Sequence, residues 1–350
     1  MAEPGGAAPA TPSARGKVLV TGAAGFIGMH VAGALARRGD AVCALDSFNA
    51  YYDPALKRAR AAHLRREAGM EVETLDIADK PALDAFFARE RPERVVHLAA
   101  QPGVRHGLKH PEDYIAANLV GFGNMLEACR HGGVKHLVYA SSSSVYGQNG
   151  KMPFSENDPV DHPLSLYAAT KKSNELMAHA YAHLFGLPCT GLRFFTVYGP
   201  WGRPDMAVYL FTKAIFEGRP IQLFNNGRMR RDFTYVDDIV AGVIGALDHP
   251  AAADPNWRAE APSPASSHAP WRVFNIGNNR AEDLSRFVTV LEQACGRSAI
   301  RENLPMQPGD VPATYADVSA LGALTGYRPT TPIDVGLPRF VAWYRAYHGV

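Results

Sequence analysis

The sequence predicts an α/β protein: a doubly wound parallel sheet followed by a smaller C-terminal α/β lobe. Three observations predict it. Short apolar runs suited to buried strands alternate with helix-length segments from Lys17 to Phe194, the pattern of one parallel sheet covered on both faces. The first run, Lys17 to Thr21, leads directly into Gly22, Gly25 and Gly28, a tight turn that opens a helix. Beyond Phe195 the chain becomes turn-rich and the alternation is lost. We therefore expect residues 17–195 to form the sheet domain and residues 196–350 mainly the second lobe. Residues 1–16, rich in Ala, Pro and Gly, read as a flexible tail without the apolar core of a signal peptide.

Each element has a local reason. The helix after the glycines runs to about Arg38, and the strand Ala41 to Leu45 ends at Asp46. A loop through Tyr51, Tyr52 and Pro54 precedes a basic helix, Ala55 to Glu67. Glu71 to Leu75 is the third strand, and Asp79 caps a helix through Arg89. Arg94 to Leu98 is the fourth strand, followed by the small residues Ala99 and Ala100. A long helix covers His110 to His131. Lys135 to Ala140 is the fifth strand and runs into Ser141 to Ser144. The helix Leu166 to Phe185 and the strand Pro188 to Phe194 complete the first domain. In the second lobe we expect a helix Val208 to Glu217, a strand Ile221 to Phe224, a basic turn Asn225 to Arg231, and a helix Val236 to Leu247. Val273 to Ile276 and a helix Leu284 to Cys295 complete that lobe. The stretch 250–270, rich in Ala, Pro and Ser, reads as a mobile, disordered-like surface insertion.

The three glycines have separate tasks. Gly22 permits a sharp turn, Gly25 lets an anion approach the main chain, and Gly28 lets the helix pack closely on the strand. The free N–H groups of the helix start face that anion. Asp46 follows about 20 residues later, where a carboxylate accepts from both ribose hydroxyls of an adenosine and repels a 2′-phosphate. The cofactor expected is NAD rather than NADP.

Composition narrows the class. With 350 residues, 47% of them apolar and 20% charged, the chain suits a soluble globular enzyme. A formal net charge of +2 is too small to suggest a nucleic-acid partner. Cys43, Cys129, Cys189 and Cys295 stand far apart, so neither a metal site nor a disulfide framework is indicated and a reducing compartment is expected. No apolar run reaches bilayer length, which points to a cytoplasmic protein with no membrane partner.

Tyr167 and Lys171 lie four apart on a helix and share a face. An ammonium beside a phenol favours the phenolate, a general base for an alcohol proton. Ser142, at the end of the fifth strand, offers a hydroxyl to the same substrate oxygen.

Taken together, Gly22-x2-Gly25-x2-Gly28, Asp46, Asp76-Ile77, His97-Leu-Ala-Ala100, Asn118, the serine cluster and Tyr167-x3-Lys171 resemble the extended short-chain dehydrogenase/reductase family. More narrowly, the chain is similar to nucleotide-sugar 4-epimerases, above all to the UDP-glucuronate 4-epimerases. The likeness runs from Lys17 to about Tyr344. It implies a Rossmann-type fold, a homodimer, and NAD held by Gly22, Gly25, Phe26, Ile27, Gly28, Asp46, Lys57, Asp76, Ile77, Leu98, Ala99, Ala100, Asn118, Tyr167 and Lys171. It implies Tyr167 as acid/base, Lys171 as its partner and Ser142 as the second hydrogen-bonding group. Arg231 would hold the nucleotide diphosphate and Asp310 the ribose of a UDP-sugar.

Related dehydratases carry Asp-Glu just after the Ser142 position, and related decarboxylases a glutamate at the Ser144 position; here Ser143 and Ser144 stand there. Oxidation of a uronate at C4 makes a β-keto acid, so an epimerase must hold the carboxylate out of the alignment that releases carbon dioxide. Hydroxyls at Ser143, Ser144 and Thr196 suit that task, with Arg105 and Arg203 as further substrate contacts. The expected reaction is interconversion of UDP-glucuronate and UDP-galacturonate through a 4-keto sugar. A UDP-glucose 4-epimerase or a decarboxylase on the same fold is the alternative.

Overall fold

The computed structural model describes residues 16–306 and 313–350. In chain order the first half contains β1 (Val18–Thr21), α1 (Phe26–Arg37), β2 (Val42–Asp46), α2 (Pro54–Ala68), β3 (Glu73–Thr74), α3 (Lys80–Glu90), β4 (Arg94–His97), α4 (Pro111–Tyr114), α5 (Gly121–His131), β5 (His136–Ser142), α6 (Leu166–Phe185) and β6 (Cys189–Phe194). The second half contains β7 (Thr196–Tyr198), α7 (Ala207–Glu217), β8 (Pro220–Leu223), β9 (Arg230–Tyr235), α8 (Val236–Asp248), β10 (Trp271–Ile276), β11 (Ala281–Asp283), α9 (Leu284–Cys295), β12 (Ile300–Asn303), α10 (Ser319–Thr325) and α11 (Ile333–His348).

The main sheet has seven parallel strands in the order β10-β6-β5-β4-β1-β2-β3. Its central strands β1 and β4 are buried at every position and apolar at most of them, with polar Thr21, Arg94 and His97 at their ends, as suits strands covered on both faces. One apolar cluster packs α1 and the second lobe against the sheet, and another packs α3, α5 and α6 on the opposite face. A three-stranded sheet, β11-β9-β7, and a parallel pair, β12-β8, build the smaller lobe.

Two expectations about the second half are corrected. The strand at Val273 to Ile276 does not belong to the smaller lobe: Trp271–Ile276 pairs in parallel with β6 and closes the main sheet. The sheet therefore needs a strand from beyond residue 195. The stretch 250–270 is not a loose insertion either. Asp254 N donates to Ser267 O at 2.8 Å, Ser266 Oγ donates to Asp254 Oδ2 at 2.7 Å, and Ser267 Oγ meets His179 Nε2 at 2.8 Å. Its small residues are there to pack, with Ser267 and Ala269 buried against the sheet domain. Residues 1–15, most of the expected tail, lie outside the described residues.

The expected helix from His110 to His131 is interrupted. Between α4 and α5, residues Ile115–Val120 form a π-helical turn. The wider turn frees the Asn118 carbonyl, which accepts from Asn174 Nδ2 of α6 at 2.6 Å.

Beneath the strand ends lies a fully buried ion pair. Arg193 of β6 and Glu175 of α6 meet at 2.8 Å and 2.9 Å through two parallel bonds. Each group's charge is secured by the other: Glu175 is held below the usual carboxylate range although burial alone would raise it, and Arg193 is held above its ordinary value although burial alone would lower it. Removing one partner strands a buried charge. Arg193→Met is expected to lower the unfolding free energy by about 3–5 kcal/mol. Urea titration checks this, and a loss below about 1 kcal/mol, the scale of a surface pair, contradicts it.

Candidate active site

A cleft opens at the carboxyl ends of the strands, where the strand order reverses between β1 and β4. The glycine turn is one wall. Gly22 has φ +67°, and a Cβ there would meet Ala99 N at 2.8 Å. A Cβ on Gly28 would lie 2.0 Å from Gly22 O, and one on Gly25 would lie 2.8 Å from it. Helix α1 begins with no side-chain cap and no acidic residue in its first turn, so its leading N–H groups are left for an anion.

Thr21 fastens this turn to β4. Its Oγ1 accepts from Leu98 N at 3.2 Å and Ala99 N at 3.1 Å, and lies 2.9 Å from His97 Nδ1. Burial drives the His97 pKa down to about 3, so the imidazole is neutral; because Thr21 Oγ1 already accepts two bonds, its hydroxyl proton is the one left to donate to Nδ1. Asp46 fastens the turn to β2: Oδ2 accepts from Ala24 N at 3.1 Å and Oδ1 from Phe48 N at 2.8 Å. Each oxygen keeps acceptor capacity for a ribose hydroxyl. Lys57 lines the same end and donates to Asn49 O at 2.9 Å and Asn49 Oδ1 at 2.5 Å. A turn closed to any Cβ, a bare helix start and a two-oxygen acceptor together fit NAD.

At the other end stand Ser142, Tyr167, Lys171 and Arg203, with Phe194, Phe195, Val197 and Met206 around them. Ser165 caps α6 by accepting from Ala168 N at 3.1 Å, which fixes Tyr167 in the first turn. Ser141 Oγ donates to Glu175 Oε1 at 2.7 Å, tying the end of β5 to the same helix. Lys171 Nζ donates to Ala140 O at 2.9 Å, and burial lowers its pKa to about 8.

The surroundings of the Tyr167 phenol include more than the expected lysine. Burial raises the phenol's pKa, while a hydrogen bond from Ser142 and the charge of Arg203 act the other way. Lys171 shares the cleft with the phenol while its ammonium donates to the strand-end carbonyl. Arg203 is itself held by Asp205, at 3.0 Å and 2.5 Å, and Tyr51 Oη donates to the same carboxylate at 3.0 Å.

The structure brings Gly22, Gly25, Phe26, Ile27, Gly28, Asp46, Lys57, Leu98, Ala99, Ala100, Ser142, Tyr167, Lys171 and Arg203 to one cleft. Others stand apart from its walls. Asp76 is exposed and spends Oδ1 on Ala78 N at 2.9 Å, while Ile77 is buried in the apolar core. Asn118 takes Gln101 N at 2.8 Å and donates to Gln101 O at 3.1 Å and Thr170 Oγ1 at 3.0 Å, so its side chain fastens loop to helix. Ser143 and Ser144 form a 3₁₀ turn just beyond Ser142, and Thr196 falls between the lining residues Phe195 and Val197. Arg105 stacks over Phe224 at 5.2 Å, and Arg231 on β9 donates to Arg230 O at 2.9 Å. Asp310 lies outside the described residues.

Sequence reasoning missed Asn49, Tyr51 and Tyr52, which also line the cleft. Their signal was available, because they follow Asp46 at the carboxyl end of a strand. Met206 carried no signal.

Comparison with known proteins agrees with this geometry. Residues 18–261 match the family model described as the NAD dependent epimerase/dehydratase family. A protein of Rhizobium meliloti (strain 1021) named "Probable UDP-glucuronate 4-epimerase" is 50% identical over 330 residues, covering 94% of this chain and 96% of its own length. "UDP-glucuronate 4-epimerase 4" of Arabidopsis thaliana is 50% identical over 337 residues, 95% of this chain and 76% of that protein. The crystal structure of UDP-glucuronic acid 4-epimerase from Bacillus cereus, in complex with UDP-glucuronic acid and NAD, superposes with a TM-score of 0.84 at 33% identity, over 95% of this chain and 99% of that one.

The turn supplies its own test. In Gly28→Ala the new Cβ would fall 2.0 Å from the Gly22 carbonyl, and the turn must shift. Affinity for NAD, measured by calorimetry on cofactor-free protein, is expected to fall by about 100-fold or more, the worth of two lost charge-assisted hydrogen bonds. An unchanged affinity contradicts the assignment of this turn as the anion site.

Proposed function

The chain belongs to the NAD-dependent epimerase/dehydratase family, and on that premise we propose that it interconverts UDP-glucuronate and UDP-galacturonate by inverting C4 of the sugar. One observation carries the choice of a uronate. The sugar end of the cleft presents Ser142, Tyr167, Lys171 and Arg203, while the lone carboxylate among the described lining residues, Asp46, sits at the far end. An anionic sugar meets cations and hydroxyls on the lining there, the nearby Asp205 carboxylate being held by Arg203 and Tyr51.

When bound, NAD supplies a reversible hydride acceptor, so the cycle is redox-neutral. Tyr167 removes the proton of the C4 hydroxyl and returns it after the keto sugar has turned over. Ser142 donates to the same oxygen and stabilises charge as it develops. Arg203 lends the phenolate its positive field. Ser143, Ser144 and Thr196, next in sequence to the lining residues Ser142, Phe195 and Val197, would hold the carboxylate away from the alignment that releases carbon dioxide, and their lack of a carboxyl group would leave no acid to assist that loss. Arg231 would hold the nucleotide diphosphate and Asp310 the substrate ribose, with Arg105 as a further substrate contact.

Incubation with UDP-glucuronate, followed by NMR, tests the reading: UDP-galacturonate is the expected product, and a UDP-pentose or no change overturns it. Tyr167→Phe is expected to lower turnover about 10³-fold or more while NAD stays bound. Turnover near the unaltered rate would show that another group moves the proton.

We further propose a homodimer packed through α5 and α6. Leu176 and Leu184, eight apart on α6, are 59% and 67% exposed, and Val120 is 50% exposed; an apolar stripe of this kind suits burial against a second copy. Met177 faces the core instead. Leu176→Arg is expected to halve the mass seen by sedimentation velocity, and a mass unchanged from that of the unaltered protein contradicts this face. The four free cysteines suit the reducing cytoplasm, a location that cell fractionation checks.

A further inference from the structure

Arg60 of α2 is fully buried, yet among the described residues its partners are carbonyl and phenol oxygens and no carboxylate. Nε and Nη2 donate to Trp201 O at 3.0 Å and 2.6 Å, and Nη2 also reaches Gly202 O at 3.2 Å. On its other side Nη1 donates to Ala24 O at 3.2 Å and to Tyr52 Oη at 2.5 Å. Burying a guanidinium without a counter-charge is costly, so the position must return something.

What it holds is the segment leading to Arg203. Trp201 sits in the left-handed region at φ +65°, and its ring is wedged by His63, Trp343 and Tyr347 at 5.3–5.4 Å. The carbonyl before it, Pro200 O, lies 2.9 Å from His30 Nε2 of α1. Three successive carbonyls, of residues 200, 201 and 202, thus face donors on α1 and α2. The next residue is Arg203, beside Tyr167. Through Ala24 the same guanidinium grips the turn whose N–H face is open to the cofactor.

We propose that Arg60 is a positioning residue that couples the two ends of the cleft. It clamps the 200–202 segment to the glycine turn, so that Arg203 meets the sugar, and its unneutralised charge supports the anion held by that turn. The proposal rests on the reading that the cleft takes NAD and a UDP-uronate.

The test uses the full chain. Arg60→Met removes both charge and fork, and Arg60→Lys keeps the charge without the fork. Calorimetry measures affinity for NAD on cofactor-free protein and for UDP-glucuronate on NAD-loaded protein, each with Arg203 present and in an Arg203→Met background. Arg60→Met is expected to weaken NAD about tenfold in both backgrounds. It is expected to weaken UDP-glucuronate about tenfold with Arg203 present and less than about twofold without it, the mark of one residue acting through another. Arg60→Lys should hold NAD within about threefold and still weaken UDP-glucuronate about tenfold.

Equal losses of UDP-glucuronate affinity with and without Arg203, or unchanged NAD affinity in folded Arg60→Met, overturn the coupling. If Arg60→Met does not fold, Arg60→Lys decides, and unchanged affinity for UDP-glucuronate overturns it. If the unaltered protein binds NAD but not UDP-glucuronate, the sugar assignment fails separately, and the NAD measurements still decide whether Arg60 supports the anion.

Discussion

The approach of the Gly22 carbonyl to the start of α1 is the constraint on which the rest of the cleft depends. A side chain at residue 28 would collide with that oxygen, so the helix meets the strand only because the position is bare. Once the contact is made, the helix's leading N–H groups face the cleft with no side-chain cap among the described residues. Thr21 then locks the turn to β4, and Asp46 locks it to β2. Three strand ends are registered on one loop of main chain, with little left to side-chain packing.

The opposite end is organised by one face of α6. Tyr167, Lys171 and Glu175 are spaced four apart and each does a different job. Tyr167 faces the cleft, Lys171 bonds the carbonyl of Ala140, and Glu175 joins Ser141 to Arg193. Burial separates the first two chemically: Lys171 is made more acidic and Tyr167 less so. Burial thus favours the protonated phenol over the phenolate. Positive charge near the oxygen must tilt it toward a base, and Arg203 already supplies some.

Much of this was legible in the chain because it is local. The glycine spacing, the carboxylate ending β2 and the Tyr167–Lys171 pair are each set within one element and its neighbour. What escaped reading is non-local. The pairing of Trp271–Ile276 with β6 depends on a partner some eighty residues earlier, and the small residues before it resemble a linker until the surface they fill is seen. Asn118 offered its residue type but not its partners, which come from a loop and a second helix. The π turn around it leaves no sequence periodicity to detect. The charge of Arg203 near Tyr167 comes from a segment some thirty-six residues later, which local spacing does not report.

The late arrival of β10 bears on how the molecule comes into being. During synthesis β6 emerges with one flank complete and the other unmet. Its main-chain donors and acceptors stay open until the whole span from β7 through α8 has been made. An exposed strand flank is a template for pairing with a stranger. The nascent chain is thus most prone to association in that interval, and a ribosome stalled there would release a fragment with an adhesive margin. The smaller lobe is in this sense a guard on the larger one, since its own ordering delivers the strand that seals the sheet.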